Sequence, residues 1–396
     1  MAARSRWKKL LAGVEPLPGN RVRLLQNGAE FFPALLAAID SARLEIHLET
    51  YIFNTDSTAE AVRDALIRAA QRGVRVRLLI DGVGSRELPA AWLAALKTAG
   101  ASVLSYRPLV KSWRSNPHNL RRLHRKLAVI DARIAFVGGM NLIDDFAPVR
   151  FDAPRLDFSV EVQGPLLARI HQSVRHVWRL VALTQLQPGE NNPPPIKPSW
   201  PTDGHVRAAF VVRDNFAHRR DIERVYLAAL ALARDEVVIA NAYFLPGYRF
   251  RRLLKNAAAR GVRVRLLVQG YTDHPFLQAA TRALYRDLLS AGVEIYEYHV
   301  SELHAKVAVA DGQWATVGSS NIDPFSLLLA REANVVVDDA GFARDLQQRL
   351  QHAITQSIPL DPADWHRRPW PRRMLSWLAY AGVRLIVGLS GAGRWV

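Results

Sequence analysis

The chain has 396 residues, a formal net charge of +17 and no cysteine. Its length suits two or three ordinary domains, and 49% hydrophobic residues can fill sizeable cores. The absence of cysteine excludes a disulfide framework, a thiolate nucleophile and a thiolate metal site, while the basic excess points to polyanions: nucleic acid, an anionic membrane or phosphorylated substrates.

The first 20 residues read as a basic lead through Arg4, Arg6, Lys8 and Lys9, with an apolar stretch, Leu10 to Val14, too short for a secretory signal. From there two similar patterns follow one another. Leu44 to Phe53 and Glu236 to Leu245 are strand-like and end in related aromatic triplets, Tyr51-Ile52-Phe53 and Tyr243-Phe244-Leu245. The helical stretches Ala59 to Ala70 and Arg251 to Ala259 are each followed by Arg-Gly-Val-Arg-Val-Arg-Leu-Leu, at Arg72 to Leu79 and Arg260 to Leu267. A glycine at the helix end and alternating Val-Arg predict a C-cap feeding a strand. Gly100 and Gly292 close a further helix in each copy.

Strands alternating with helices predict an α/β fold: two tandem homologous α/β/α sandwich domains related by a pseudo-twofold axis, with mixed, mostly parallel sheets. The predicted domains are 21–186 and 204–360, joined by a proline-rich linker over 187–203. The last segment, 361–396, is basic at Arg367, Arg368, Arg372 and Arg373, then apolar from Leu375 to Leu389. That run is short of the ~20 apolar residues a spanning helix needs, so it predicts a membrane-interfacial helix or, alternatively, a terminal helix packed on the second domain.

The chemistry concentrates in one repeated signature. His124-Arg125-Lys126-Leu127-Ala128-Val129-Ile130-Asp131 and His304-Ala305-Lys306-Val307-Ala308-Val309-Ala310-Asp311 both read His-x-Lys-x4-Asp, 180 residues apart. Each is followed at the same offset by a glycine-led tail ending in Asn141 or Asn321. The apolar runs predict buried strands, and alternation places each histidine and lysine on one face, able to converge on an anion. Phosphodiester transfer needs a nucleophile, an acid for the leaving oxygen and positive charge around the non-bridging oxygens, which two histidines, two lysines and two asparagines provide. Asp131 and Asp311 begin turns and are expected to hold backbone. Asp157 and Glu332, 33 and 28 residues beyond their histidines, stand before or in strand-like runs that could return beside the motif strand and orient the imidazoles. Pairing with the adjacent Arg155 or Arg331 is the structural alternative. His118, His171, His176 and His299 have no echo in the repeat. No Asp/Glu/His cluster has metal-ligand spacing, and no metal or cofactor is expected.

These residues resemble the phospholipase D superfamily, defined by the duplicated motif, over roughly residues 20 to 360. Leu25-Gln26-Asn27-Gly28, His124 to Asn141, and Arg155 to Pro165 further resemble bacterial cardiolipin synthases of the shorter type without an N-terminal transmembrane pair. The resemblance implies a catalytic set of His124, Lys126, Asp131, His304, Lys306 and Asp311, with Asn141, Ser319 and Asn321 as phosphate contacts. It implies transfer of a phosphatidyl group from phosphatidylglycerol through a phosphohistidine, His124 being the nucleophile and His304 the acid and base, although a symmetric pair leaves the reverse order open. Phospholipid substrates and an anionic membrane surface would be the partners, with no obligatory nucleic acid, and the location the cytoplasmic face of the cell membrane. The basic stretch Tyr106 to Arg125, with Arg107, Lys111, Trp113, Arg114, Arg121 and Arg122, suits such a surface, and Phe325, Leu327, Leu328 and Leu329 would meet acyl chains or core. A phosphodiesterase or nuclease of the same superfamily is the rival reading.

Overall fold

The computed structural model describes residues 14–108, 121–146, 151–187, 196–271 and 275–389, without the side chains of residues 366, 372, 388 and 389. Lys111, Trp113, Arg114, His118, most of the N-terminal lead and residues 188–195 of the proline-rich linker lie outside the described residues.

The duplication is written into the order of elements. The first half runs β1 (Leu17–Gln26), α1 (Asn27–Asp40), β2 (Glu45–Thr50), α2 (Ser57–Gln71), β3 (Arg75–Asp81), α3 (Ala90–Thr98), β4 (Ser102–Tyr106), β5 (Lys126–Ile130), β6 (Ile134–Gly138), β7 (Phe158–Gln163) and α4 (Leu166–Thr184). The second half repeats it: β8 (Val206–Arg213), α5 (Asp221–Leu232), β9 (Glu236–Asn241), α6 (Tyr248–Ala259), β10 (Arg263–Gln269), α7 (Pro275–Ser290), β11 (Glu294–Tyr298), β12 (Lys306–Ala310), β13 (Trp314–Gly318), α8 (Pro324–Leu328), β14 (Glu332–Asp338) and α9 (Ala340–Thr355). Among the described residues only α8 lacks a counterpart. The short strand β15 (Ile358–Pro359), α10 (Pro362–His366) and α11 (Trp370–Leu389) complete the described chain.

Glycine closes α2 and α6 as expected. Gly73 and Gly261 sit at φ +83° and +88°, where a side chain would strain the backbone, and the chain then enters β3 and β10. The aromatic triplets align one residue differently from the sequence reading. Phe53 bridges Leu142 and Phe244 bridges Ile322, so Phe53 matches Phe244 and Tyr51 matches Ala242.

The mostly parallel expectation is corrected. Among the named strands parallel pairing is confined to β2-β3-β4 and β9-β10-β11, while the other neighbours are antiparallel. The connection from Ile130 to Ile134 explains why: a tight turn can only reverse the chain, whereas a parallel partner needs a crossover of about a dozen residues or more. The two sheets are also continuous. Leu17 and Asn20 of β1 pair with Ala208 and Val206 of β8, joining the halves into one fifteen-stranded sheet.

That sheet turns back on itself, and β6 packs against β13 and β14. Helices α1 and α2 cover the outer face of the first half, and α5, α6 and α7 that of the second. Between the halves, Val129, Val137 and Val160 share one buried core with Val307, Val317 and Val335, flanked by residues of α4 and α9.

The motif aspartates are turn clamps. Asp131 accepts hydrogen bonds from the backbone N–H groups of Arg43, Leu44 and Glu45 at 2.7–2.9 Å, and Asp311 from Arg234, Asp235 and Glu236 at 2.9–3.2 Å. Both sit at φ 52°. They close the end of the strand opposite the histidines, so their place in the catalytic set is withdrawn. Charge-assisted bonds to an acceptor lost from a buried turn are worth about 1.5–3 kcal/mol each in full, less where water replaces them. Asp131→Ala should therefore destabilise by about 3 kcal/mol in denaturant unfolding. Asp311→Ala should cost less, because Asp311 is only partly buried where Asp131 is buried, so water replaces its bonds more readily.

Candidate active site

Strand β12 carries Lys306 opposite Asn241, and β5 carries Lys126 just before Leu127, which pairs with Glu49, so both lysines stand at the carboxyl ends of the parallel strands, where open α/β sheets place their ligands. The histidine before each lysine is held by the other half of the protein. Leu123 forms a parallel bridge with Arg331, and the N–H of His124 donates to the Arg331 carbonyl at 2.9 Å. Leu156 and Leu303 form the matching bridge, with the N–H of His304 donating to Leu156 at 2.9 Å. The residue following Arg331 is Glu332, and the residue following Leu156 is Asp157.

The carboxylates therefore pair crosswise. Nδ1 of His124 lies 3.0 Å from Glu332 Oε1, and Nδ1 of His304 lies 2.6 Å from Asp157 Oδ2. The expectation that each acid returns beside its own motif strand is corrected: β7 and β14 do return beside β6 and β13, but the loop before each strand crosses to the opposite half. Neither acid takes its neighbouring arginine as partner in place of histidine. Arg155 instead bonds Glu302 of the second half at 2.9 Å.

Ser319 also has a different place from the one expected. Its hydroxyl donates to Glu332 at 2.6 Å and accepts from the Ala333 N–H at 3.0 Å, fully buried, which makes it a support for the acid and removes it from the phosphate contacts. At the matching Gly139, a Cβ would collide with the Asp157 carboxylate. One half thus uses serine with glutamate and the other glycine with aspartate. The sequence flagged the mismatch but not its cause.

Three further residues shape the site without having been singled out. Tyr51 sets its ring 5.0 Å from that of His124, with the Lys126 ammonium 5.4 Å from its centroid, while Ala242 occupies the matching position. Asn27, at φ 57°, exchanges hydrogen bonds with the Asp157 backbone. Buried Arg213 ties its guanidinium to the Ala330 carbonyl, just before Arg331 and the start of β14 at Glu332. Asn141 Oδ1 accepts from the Ile52 N–H at 3.1 Å, and Asn321 is buried.

Burial dominates the electrostatics. It lowers Lys126 to about 7 against the pull of Glu332, and Lys306 to about 8 against Asp157. Both lysines donate to the carbonyl of their own motif histidine, Lys126 at 2.8 Å. Burial also lowers His124, opposed by Glu332, and lowers His304 well below the ordinary histidine range, reinforced by Lys306 and Arg155. The acids differ. Burial opposes ionisation of Glu332, yet His124, Lys126 and the Ser319 hydroxyl outweigh it and hold its carboxyl low, whereas burial pushes Asp157 up to about 6.

Other polar clusters belong to the scaffold. Arg122 bridges Asp81 at 2.7 Å, and Arg125 is buried against Glu49 at 2.9 Å, so neither can serve a membrane surface. Leu327 and Leu329 are core, and Phe325 and Leu328 pack toward α7 and α11. Among the described residues, one group has the donors to hold a metal: Glu45, His47 and His171, on β2 and α4. Sequence spacing could not reveal it, because His171 is remote in the chain. Glu45 already bonds His171 at 2.5 Å and Arg75 at 3.3 Å, and the Arg77 charge further lowers His47, held at about 4 chiefly by burial. That cationic surrounding fits an internal ion-pair network rather than a cation site.

A duplicated His-Lys pair at the junction of two related α/β halves defines a phospholipase D-like protein. The family model described as "Cardiolipin synthase, PLD-like domain" matches residues 35–146 and 226–354. Cardiolipin synthase B of Salmonella typhimurium is 40% identical over 94% of this chain and 90% of its own length, and cardiolipin synthase A of Proteus mirabilis is 31% identical over 93% and 76%. The chain belongs to the cardiolipin synthase family. The crystal structure of phosphatidylserine synthase from Haemophilus influenzae shares the fold, with a TM-score of 0.73 at 13% identity over 98% of this chain and 99% of that one.

The lysine burial is testable through linkage. A lysine whose folded value is depressed costs stability fully below that value, and the cost is relieved as pH rises from about 7 toward its unfolded value. Lys126→Met should raise the thermal midpoint near pH 7, with the advantage over wild type shrinking toward pH 10, while turnover falls at least about a hundredfold.

Proposed function

We propose that the protein makes cardiolipin by transferring a phosphatidyl group from one phosphatidylglycerol to the glycerol headgroup of another. His124 Nε2 attacks phosphorus, and the bond to the glycerol oxygen breaks as His304, protonated once the anionic phosphodiester is bound beside it, gives that oxygen its Nε2 proton. The hydroxyl of the second headgroup then attacks phosphorus, His304 takes its proton, and the phosphorus–nitrogen bond breaks to free His124. Lys126, Lys306, Asn141 and Asn321 bind the non-bridging oxygens.

The crossed imidazole–carboxylate pairs carry this reading. Each engages Nδ1, leaving both Nε2 atoms for substrate. The inequality of the pairs supports the assignment of roles. Glu332, kept ionised by His124 and Lys126 with the Ser319 hydroxyl in support, stabilises the positive charge that grows on His124 during attack. The histidine side chains are only 17% and 15% exposed, which limits the water that would divert the intermediate to phosphatidic acid.

The reading places the enzyme peripherally on an anionic leaflet, the cytoplasmic one of a bacterial membrane. Among the described residues no helix is long and apolar enough to cross a membrane. Helix α11 combines both sequence alternatives: Ala379, Tyr380, Val383 and Val387 pack on α7, while Trp370, Leu375, Leu378 and Leu385 are 60–70% exposed.

Phosphatidylglycerol supplied to the purified enzyme should yield cardiolipin and glycerol by mass spectrometry. His124→Ala and His304→Ala should each lower the rate by at least about a thousandfold. A phosphatidyl adduct on His124 should accumulate in His304→Ala and be missing from His124→Ala. Turnover of single-stranded DNA without cardiolipin formation would reject the lipid reading.

A further inference from the structure

A second cluster of cations stands apart from both motifs, at the junction of α7, α10 and α11. Arg282, Arg286, Arg368 and Arg373 line a cleft of about 360 Å³ together with Trp365 and Trp377. Its volume suits a polar headgroup, at the small end of ligand sites. The Arg368 guanidinium stacks 3.7 Å from the centre of the Trp365 ring, which presents its planar donor fork in a fixed orientation.

The negative charge near the cleft is already engaged. Asp287, in its lining, is bonded by Lys255 at 2.9 Å, and Glu297 is bonded by Arg282 at 3.0 Å. With Arg282 committed to Glu297 and Asp287 to Lys255, Arg286, Arg368 and Arg373 leave the lining with a net positive charge, and that field attracts an anion. Bidentate guanidinium donors fit phosphate oxygens in particular.

The surroundings identify the phosphate's carrier. Along α11 beside the cleft, Trp370, Met374 and Leu378 are 70%, 50% and 60% exposed, an apolar row that a soluble phosphate ester would leave in water. Tryptophan and arginine next to such a row are the pattern of a membrane interface. The platform beneath is shared with the reaction centre, because Phe325 and Leu328, just beyond Asn321, pack into the same cluster as Ala379 and Tyr380.

We propose that this cleft is a second, non-catalytic lipid site that binds the phosphate of an anionic phospholipid headgroup while the exposed row of α11 enters the acyl layer. The proposal rests on the reading of the protein as an enzyme of anionic membranes, and it adds a discrete site to what would otherwise be diffuse charge.

Flotation of the full chain with vesicles of phosphatidylcholine, with and without phosphatidylglycerol, tests it. Arg286→Gln/Arg373→Gln alters two exposed side chains and spares the fold. It should weaken binding to phosphatidylglycerol vesicles at least about tenfold. Arg43→Gln/Arg133→Gln removes the same charge from exposed positions at the Asp131 end of the sheet and should change binding less than about threefold. Cardiolipin formation from detergent-dispersed phosphatidylglycerol should stay within about twofold of wild type in both. Equal losses in the two double variants, or unchanged vesicle binding in the first, would overturn the site. Stabilisation of wild type by glycerol 3-phosphate, lost in the first variant while its vesicle binding persists, would assign the cleft to soluble esters and also overturn it. A wild type that binds vesicles through the cleft yet forms no cardiolipin would leave this site standing and reject the catalytic reading.

Discussion

The crossed contact between each motif histidine and the carboxylate of the other half is the constraint on which the rest of the site depends. It follows from two short backbone bridges, Leu123 with Arg331 and Leu156 with Leu303, which thread the loop before each acid into the opposite half. Those bridges hold only if the halves are pressed together, and the shared valine core between the facing sheets does that. A half on its own would bury a lysine without its distant counter-charge and leave an imidazole without its orienting acid. The duplication is consequently a requirement of the chemistry and not a repetition of it.

Packing two lysines, two histidines and two acids out of water is costly, and the site tolerates it because every charge has an answer within reach. The depressed lysines show the cost; the carboxylates offset it. Near-symmetry then breaks where it matters. Serine beneath Glu332 and glycine beside Asp157 give the two acids different supports, and Tyr51 against Ala242 gives two differently furnished flanks. A two-step transfer needs unlike partners, and single-residue differences in otherwise equivalent positions are enough to make them so.

The second half carries an added layer. Helix α11 has one side seated on α7 and the other open, and short α8, unmatched among the described residues of the first half, bridges from the Asn321 tail toward it. Rigid packing thus links the reaction centre to the part of the surface with the composition of a membrane interface. Basic residues nearer the motif do not play that part, since Arg122 and Arg125 are committed to Asp81 and Glu49.

By itself the sequence determined the duplication, the motif strands, the turn role of Asp131 and Asp311, and the residue types of the site, because these depend on local periodicity, turn chemistry and repetition. The glycine-capped helices followed from the same signals. Tertiary structure alone decided which acid serves which histidine, since a loop's return to its own strand or crossing to the other leaves no mark at the residue itself. It likewise decided that Ser319 supports Glu332 and does not meet phosphate, because a serine's partner depends on the strand laid beside it. The predominance of antiparallel pairing was within reach of the sequence, in the short turn between Ile130 and Ile134. The joining of both sheets through β1 and β8 was not: pairing between segments nearly two hundred residues apart is settled by the packed core that brings them together.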